Sequence, residues 1–272
     1  MKTTAPILIP AAIAEHPPLD WRSMPAQEKL DGWRGVLAFG GDEPATLTGR
    51  TAGVDWLAHV PHLAPVDYKG GRCVVDGEIL PPVGFGVQAV QSILGGSVAA
   101  GRAWQKRNGL ARFVAFDLMG YNGADVRLEE FAPEHFLSRY EGLRKLPLVV
   151  AELHNNAGDL FNAVGLAGGE GIVVRAPYAP YGQGAWKVKH FDTVDALVIG
   201  FAPGCGVAIL GVDGVETGRV AIPSAIERVD IARNPGRFIG KWCEIQTFGK
   251  TDAGKARSPK FLRWRFDKPT RG

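Results

Sequence analysis

A lysine and an arginine flank an Asp-Gly pair in the segment QEKLDGWRG, residues 27–35. Asp-Gly is a common hairpin turn, but a turn requires neither Lys29 before Asp31 nor Arg34 after Gly32. A neutral lysine amine can act as a nucleophile, and the arginine fork binds phosphate. By composition, this K-x-D-G-x-R spacing arises by chance anywhere in the chain with a probability below about one percent. The segment therefore indicates a site rather than only a turn.

Further short motifs follow in order along the chain. They are TGR ending at Arg50, VVDGEIL with Glu78, FVAFDL with Phe116, GGEGIVVRAP with Glu170, WKVKHF with Lys187 and Lys189, and KARSPKFLRWRFDK over 255–268. As an ordered set they resemble the ATP-dependent DNA ligases, within the covalent nucleotidyltransferases that also include RNA ligases and mRNA capping enzymes. The resemblance extends over nearly the whole chain. The C-terminal R-x-D-K of Arg265, Asp267 and Lys268 points to the DNA ligases in particular.

The resemblance implies that Lys29 attacks the α-phosphate of ATP and becomes lysyl-AMP. An amine attacks only when it is neutral, whereas a free lysine has a pKa of about 10.4. Neighbouring positive charge and desolvation favour the neutral form, and Lys187 and Lys189 supply such charge from one face of a strand. They would also stabilise charge that develops on the phosphate. A solvated basic strand face is the alternative, and the alternation with Trp186 and Val188 fits it as well.

The resemblance also implies a nucleotide and metal site. It assigns Glu170 to Mg²⁺, which Mn²⁺ can replace, because a carboxylate beside phosphate needs a cation between them. It assigns Glu78 to the ribose hydroxyls and leaves a metal role open. Phe116 would stack on adenine, although a strand Phe is usually a core residue. In relatives an acidic residue two before the nucleophile reads the adenine amino group; here the position holds Gln27, whose amide carbonyl can still accept from the amine.

Several charged residues complete the implied site. Asp31 and Arg34 are expected to contact the nucleotide, and Arg50 the 5′-phosphate of a nick. In the last segment, Arg257 and Lys260 are expected to close over ATP and orient the pyrophosphate. The DNA-binding candidates in that segment are Arg263, Arg265 and Lys268. Phosphate contacts by lysine and arginine make DNA binding salt-dependent.

Charge is unevenly distributed along the chain. Residues 241–272 contain nine basic and three acidic residues, a net charge of +6, whereas residues 1–240 carry −3. The C-terminal segment is therefore the part expected to meet a polyanion. Its KFLRWRF pattern alternates basic and apolar residues, which predicts a strand. Elsewhere, His59 and His62 in HVPH are interpreted as surface residues, since no cysteine ligands lie near them.

Composition places the chain among soluble globular proteins, with 46% hydrophobic and 22% charged residues. No apolar run reaches the roughly 18 residues of a membrane span, so we expect no membrane association. Pro6 and Pro10 interrupt the apolar start of the chain, which argues against an export signal. Three separated cysteines, Cys73, Cys205 and Cys243, suit a reducing compartment and form no metal pattern. We therefore expect a cytoplasmic protein.

The elements that position these residues follow from hydrophobic periodicity. Strands are predicted over 72–80, 112–119, 170–176, 185–191 and 195–201, and helices over 52–60, 87–94, 133–146 and 157–166. After about residue 190, short strands and glycine-rich turns dominate. We therefore expect an α+β nucleotidyltransferase (adenylation) domain over 1–191, with antiparallel sheets and flanking helices. A small OB-fold β-barrel over 192–272 follows it, with a hinge at Asp192–Asp195.

Together these inferences predict a DNA ligase that seals nicks with 5′-phosphate and 3′-hydroxyl ends in duplex DNA, for replication, repair or recombination. The expected intermediates are lysyl-AMP and DNA-adenylate. Only 28 residues precede Lys29, and the barrel has one short hairpin, so we expect a minimal, monomeric, two-domain enzyme without an additional clamp. The alternatives are an RNA ligase, a capping-type enzyme that would use GTP, and a non-catalytic nick-binding module.

Overall fold

The computed structural model describes residues 17–49, 54–65, 67–127, 135–251 and 254–270. The chain divides into two compact units, Met1–Lys189 and His190–Gly272, each of which is described by itself. The boundary expected from the sequence lies two residues after this division. Among the described residues, every helix is too short or too polar to span a membrane.

Two sheets form the framework of the first unit. Its strands are β1 (Ala26–Glu28), β2 (Trp33–Phe39), β3 (Thr46–Thr48), β4 (Cys73–Leu80), β5 (Arg112–Tyr121), β6 (Ala124–Asp125), β7 (Val149–Val150), β8 (Gly171–Arg175) and β9 (Ala185–Lys189). The larger sheet has the order β3-β2-β4-β5-β6, with β7 beside β5, and the smaller sheet has the order β1-β8-β9. All pairs are antiparallel except β5 with β7. Strands β4, β5, β8 and β9 match those predicted from the sequence, whereas the seven-residue strand β2 was not predicted.

Helices cover both sheets of the first unit. They are α1 (Gln88–Leu94), α2 (Val98–Asn108), α3 (Phe136–Leu143) and α4 (Ala157–Leu166). Helix α3 buries Phe136, Tyr140 and Leu143, the apolar face predicted by their spacing, and Leu143 lies in the core of the larger sheet. Each such side chain contributes about 1.5–3 kcal/mol when buried. Leu160 of α4 packs in a separate core on the smaller sheet.

One helix prediction in the first unit differs from the structure, and one helix was not predicted. Over the described part of 52–60, the chain forms a 3₁₀ turn, Trp56–Ala58, rather than an α-helix. Asp55 explains this, because its carboxylate accepts from the backbone amides of both Leu57 and Leu47 and so ties the turn to β3. Helix α2 was not predicted, since its moderately polar sequence gives little periodicity; Ser97 caps it by accepting from Ala100 N. The other 3₁₀ turns are Trp21–Ser23, Pro61–Leu63 and Pro235–Arg237.

The second unit is a five-stranded antiparallel sheet of the OB type. Its elements are β10 (Asp192–Phe201), β11 (Val207–Val212), β12 (Val215–Ala221), α5 (Ala225–Arg233), β13 (Trp242–Thr247) and β14 (Lys260–Arg265). The strand order is β12-β11-β10-β13-β14, with the helix between the third and fourth strands. Strands β11 and β12 form the expected short hairpin, whose Asp213-Gly214 turn has positive φ at both residues, 50° and 79°.

In the second unit one helix was not predicted, and the expected hinge residues lie in a strand. Helix α5 was not predicted. Ile231 is its only buried residue, so the sequence shows almost no helical periodicity of apolar residues. The residues expected to form a hinge are strand residues instead. Asp192 lies opposite Thr247 and Asp195 opposite Glu244 in the β10–β13 ladder. Only His190 and Phe191 separate β9 from β10.

Candidate active site

Lys29 lies in the loop that connects the two sheets of the first unit. Strand β1 ends at Glu28 in the smaller sheet, and β2 begins at Trp33 in the larger one. The Asp-Gly pair therefore closes no hairpin, which corrects the simplest interpretation of that dipeptide. The backbone amide of Lys29 donates to Gly171 O at 2.9 Å. A Cβ on Gly32 would lie 2.3 Å from the carbonyl oxygen of Ile79, so the loop passes β4 too closely for any side chain.

A cavity of about 560 Å³ opens beside this loop, and residues of both sheets line it. Its volume is within the range of small-molecule sites. Six of the residues proposed from the sequence line it: Gln27, Lys29, Arg34, Glu78, Phe116 and Lys187. Asp31 lies in the same loop as Lys29 but does not line the cavity. Glu170 and Lys189 are not lining residues either, although both belong to an ion-pair cluster with Lys29.

The carboxylate of Glu170 joins two of the predicted lysines. Its Oε2 lies 2.5 Å from Lys29 Nζ, and its Oε1 lies 2.8 Å from Lys189 Nζ. Burial alone would raise the pKa of Glu170, but the hydrogen bonds from Lys189 and Lys29 outweigh it and hold the pKa below its usual value. Gly171 fixes this arrangement, since its φ is +143° and a Cβ would meet Val188 O at 2.2 Å.

Strand β9 presents its lysines to the site and its apolar residues to the core. Lys187 lines the cavity together with Ala185, while Trp186 and Val188 pack against the core under α4. The alternation of side chains along the strand produces this division. The lysine face of β9 therefore borders the cavity and Glu170, rather than being only a solvated surface.

Glu78 is a half-buried carboxylate in the wall of the cavity. It lies opposite Arg34 in the β2–β4 ladder. Burial raises its pKa to about 7, against the opposing effects of the Lys29 charge and a hydrogen bond from the Gly32 amide. This carboxyl group therefore changes charge near neutral pH.

Arg34 is held by two residues that the sequence did not single out for a role. Its Nε and Nη2 donate to Asp76 Oδ1 and Oδ2 at 2.9 and 2.6 Å. The hydroxyl of Tyr181 donates to Asp76 Oδ2 at 2.7 Å and accepts from Arg34 Nη2 at 3.0 Å. Asp76 was visible in the VVDGEIL motif, but Tyr181 lies in a loop whose sequence gave no signal.

The cavity is also lined by an amide, an aromatic ring and a guanidinium, those of Gln27, Phe116 and Arg175. Gln27 is 1% exposed, and its Nε2 donates to the carbonyl oxygens of Ala151 and Phe116 at 3.3 and 3.4 Å. Its Oε1 accepts from Arg175 Nε at 3.0 Å. Sequence reasoning missed Arg175, although this residue is part of the GGEGIVVRAP motif. In the structure Arg175 follows Val173 by two residues on β8, and both residues line the cavity.

The basic residues predicted in the C-terminal segment belong to the second unit. Arg263 is paired with Glu244, and Lys268 with Asp195. Arg265 contacts Asp195 at 2.9 Å and Asp267 at 2.8 Å. Lys260 begins β14, and the backbone amide of Arg257 donates to Gly249 O. The predicted 5′-phosphate ligand Arg50 lies outside the described residues.

The two histidines of HVPH differ in environment. His62 is exposed, as expected, and its Nε2 lies 2.8 Å from Ala111 O. His59 is buried, so its interpretation as a surface residue was wrong: the chain packs it against the loop before α2, with Nε2 3.2 Å from Gly96 O.

The carboxylates of the site could hold a metal ion only if a substrate supplied further ligands. Within the described ranges, no group of three or more His, Cys, Asp or Glu side chains could hold a metal ion. Mg²⁺ commonly uses one or two carboxylates and completes its shell with substrate phosphates and water. Glu170 contacts Lys29, and Glu78 interacts with the charge of the same lysine. These two carboxylates therefore fit a metal that arrives with a nucleotide.

Comparison with known proteins identifies a curated relative that matches part of the chain. No protein-family profile matches the sequence. A "Probable DNA ligase" of Streptomyces avermitilis is 36% identical over 191 residues, which cover 64% of this chain. The match spans 36% of that relative, so the chain corresponds to about a third of its length.

Solved DNA ligases have the same fold. A Lig E DNA ligase from a study of DNA binding with a minimal scaffold superposes with a TM-score of 0.62 at 22% identity, over 91% of this chain and 94% of that chain. The ligase domain of M. tuberculosis LigD gives 0.51 at 21% identity, over 90% of both chains. A mycobacterial DNA ligase D complexed with ATP gives 0.50 at 20% identity, also over 90% of both. The predicted fold class and the resemblance to DNA ligases are thereby confirmed, and the chain has the nucleotidyltransferase and OB fold of these enzymes.

Proposed function

We propose that this chain is an ATP-dependent DNA ligase that seals 5′-phosphate/3′-hydroxyl nicks in duplex DNA. The observation that carries the proposal is the position of Lys29. Its side chain lines a cavity of nucleotide size together with Lys187, and Glu170 pairs with both Lys29 and Lys189. A surface lysine without a catalytic role would not require a carboxylate and two further lysines around it. The similarity to a curated DNA ligase and the shared fold of solved ligases support the same conclusion.

In the first step, Lys29 attacks the α-phosphate of ATP, displaces pyrophosphate and forms a phosphorus–nitrogen bond to AMP. An ammonium paired with a carboxylate is not a nucleophile, so Glu170 must release Lys29 and the amine must lose a proton. Lys187 and Lys189 then stabilise the phosphate charge as the transition state develops. Bound Mg²⁺, or Mn²⁺ in its place, would supply charge neutralisation at the phosphates, and Glu170 and Glu78 are the residues that would hold it.

In the later steps, AMP passes from Lys29 to the 5′-phosphate of the nick, and the 3′-hydroxyl attacks that phosphate and releases AMP. Arg34 and Arg50 are proposed to bind phosphate through their guanidinium groups. Asp76 and Tyr181 hold the Arg34 guanidinium in place at the cavity, which reduces the ordering needed when phosphate binds.

The second unit is proposed to serve both ATP and DNA. Arg257 and Lys260 would act on the pyrophosphate, and Arg263, Arg265 and Lys268 on the duplex. Arg263, Arg265 and Lys268 pair with acidic partners in the second unit, which leaves them positioned for exchange of a carboxylate for a phosphate. We expect the enzyme to be a monomer, and its three unpaired cysteines support a cytoplasmic location.

The test is incubation with ATP labelled at the α-phosphate, followed by denaturation. We expect the wild-type chain to retain one label and Lys29→Ala to lose it by at least about 10³-fold, since the bond-forming atom is removed. Lys106→Ala is the matched control, because this exposed lysine on α2 lies outside the site. Label that persists in Lys29→Ala would remove this residue from its role.

A second assay separates the proposed substrate from the alternatives. Nicked duplex DNA and nicked duplex RNA are offered at equal concentration, with ATP or GTP. Sealing of DNA with ATP is expected. Preferential sealing of RNA would favour an RNA ligase, labelling with GTP alone would favour a capping-type enzyme, and nick binding without labelling would favour a non-catalytic module.

A further inference from the structure

Two tryptophans, Trp33 and Trp56, form an aromatic pair in the wall of the cavity. Their ring centroids are 5.7 Å apart and their planes meet at 51°. Trp33 begins β2, and Trp56 begins the 3₁₀ turn that Asp55 ties to β3. Both pack against the core of the larger sheet but stay partly exposed. The pair is therefore a surface of the cavity as well as a part of the core.

The indole N–H groups of both tryptophans are available to a ligand. Among the described residues, neither nitrogen donates a hydrogen bond and neither is buried. By contrast, Nε1 of Trp242 donates to Pro269 O at 3.1 Å. A buried tryptophan usually pairs its N–H, so these two are donors that face solvent. The pair thus combines flat apolar faces with hydrogen-bond donors.

The aromatic pair lies beside groups that are proposed to bind phosphate. Trp33 and Arg34 are consecutive in β2, so their side chains point to opposite faces, and both line the cavity, which therefore extends around the start of this strand. Trp56 lies against Gly49, because a Cβ on Gly49 would be 2.0 Å from Cη2 of the indole. Arg50 follows Gly49 directly in the sequence. The pair therefore adjoins Arg34 and the segment that leads into Arg50.

The chemistry of the pair matches the backbone of a DNA strand. That backbone alternates anionic phosphates with deoxyribose rings, whose C–H groups are apolar. Taking a base out of a duplex costs unstacking energy, so an aromatic side chain beside the strand meets sugars rather than base faces. An indole can pack its ring on a sugar while its N–H donates to a phosphate oxygen.

We propose that Trp33 and Trp56 bind a deoxyribose–phosphate unit at the nick. A 2′-hydroxyl placed against an indole face would lose its water without gaining a hydrogen bond, so the pair also selects deoxyribose over ribose at that position. The unit belongs either to the strand that ends in the 3′-hydroxyl or to the strand that begins with the 5′-phosphate, and the test distinguishes the two. This inference rests on the proposed function, since it requires nicked DNA at the cavity.

The first part of the test uses the wild type alone. Its lysyl-AMP form is mixed with nicked duplex DNA that has a single ribonucleotide at the 3′-hydroxyl end, at the 5′-phosphate end, or at neither. The nick concentration for half-maximal AMP transfer should be higher by about 5-fold or more for one of the two ribonucleotide substrates, which identifies the strand. Equal values for all three substrates would overturn the inference without any variant, so a variant that fails to fold leaves the test intact.

The second part compares Trp33→Leu and Trp56→Leu with Trp21→Leu. Trp21 is the matched control, because it is also partly buried but does not line the cavity. Half-maximal concentrations are measured for the nick in AMP transfer and for ATP, with Mg²⁺, in lysyl-AMP formation. The two cavity variants should raise the nick value by about 10-fold, well beyond any rise in the ATP value, and should narrow the ribonucleotide difference.

Trp21→Leu should keep the wild-type ratio of the nick value to the ATP value and the wild-type ribonucleotide difference. A nick value that rises no more than the ATP value in Trp33→Leu and Trp56→Leu would overturn the inference. A wild type that forms no lysyl-AMP would instead contradict the proposed function.

Discussion

The two oxygens of the Glu170 carboxylate pair with different lysines, one with Lys29 and the other with Lys189. Removal of one partner from a partly buried ion pair costs free energy, because the other charge stays buried with less compensation. Separation of Lys29 from Glu170 would leave the carboxylate with Lys189 alone, and a second cation would offset the lost contact. In the proposed reaction a metal–nucleotide complex would supply that cation, which would couple release of the nucleophile to substrate binding.

Glu78 leads to a prediction on the pH dependence of stability. Its pKa is raised to about 7 in the folded protein by burial, from about 4.3 in an exposed glutamate. Between these values the folded state keeps a proton that the unfolded chain has lost, so the wild type loses stability as pH rises through this window. The total loss is up to about 4 kcal/mol, since one pKa unit corresponds to about 1.36 kcal/mol.

Glu78→Gln should not show this loss. The measurement is the free energy of unfolding by urea at pH 4.5, 6 and 8 for both proteins. We expect the difference between Glu78→Gln and wild type to grow in favour of the variant as pH increases. A difference that stays constant with pH would show that Glu78 ionises normally in the folded protein.

At the scale of elements, the loop between β1 and β2 passes from the smaller sheet to the larger one. This path brings the amine of Lys29 to the cavity and requires a residue without a side chain at the point of closest approach to β4. Gly32 is that residue, and the obstacle is backbone, because the Ile79 carbonyl oxygen lies 2.3 Å from the position that a Cβ would occupy. A flexible side chain could change rotamer to avoid the clash, whereas a backbone carbonyl moves only if the strand shifts.

Gly32→Ala should therefore destabilise the first unit by about 2 kcal/mol or more, because either the loop or β4 must shift. It should also lower adenylylation by displacing Lys29 from Glu170. Gly96→Ala is the matched control, since a Cβ there has nothing within 4 Å. Thermal unfolding and labelling with α-labelled ATP measure the two effects. Wild-type values for Gly32→Ala would show that the loop is not confined in this way.

At the scale of the whole molecule, positive charge is concentrated at the C-terminus, with a net +6 over 241–272 against −3 for the rest of the chain. Strand β14 carries part of this charge, and Arg263 on it is an exposed residue. Such a surface binds the phosphate backbone without reading base sequence. This distribution agrees with a polyanionic partner that is recognised by its charge.

Arg263→Ala should weaken binding to nicked DNA about equally for duplexes of unrelated sequence. The slope of log affinity against log salt concentration should become smaller by about one, the value for one phosphate contact. Fluorescence anisotropy over a salt series measures the slope, and Lys106→Ala serves again as the control. An unchanged slope for Arg263→Ala would mean that this side chain stays with Glu244 when DNA is bound.

The sequence by itself determined which residues are candidates for chemistry and where several of the strands lie. The K-x-D-G-x-R spacing, the lysines of β9 and the apolar runs of β4, β5 and β8 are local patterns, and the period of two places alternate side chains on one face. Asp55, Ile231 and the residues of α2 show the limit of that approach, since turns tied by single hydrogen bonds and weakly apolar helices give little periodic signal.

Only the tertiary structure decided what these residues contact. Gln27 meets Arg175 across 148 positions of the chain, and Lys29 meets Glu170 across 141. Arg34 is held by Asp76 and by Tyr181, one from a motif and one from a loop without a sequence signal. These contacts between distant residues result from the packing of two sheets around one cavity. Residue spacing within a short segment does not predict them.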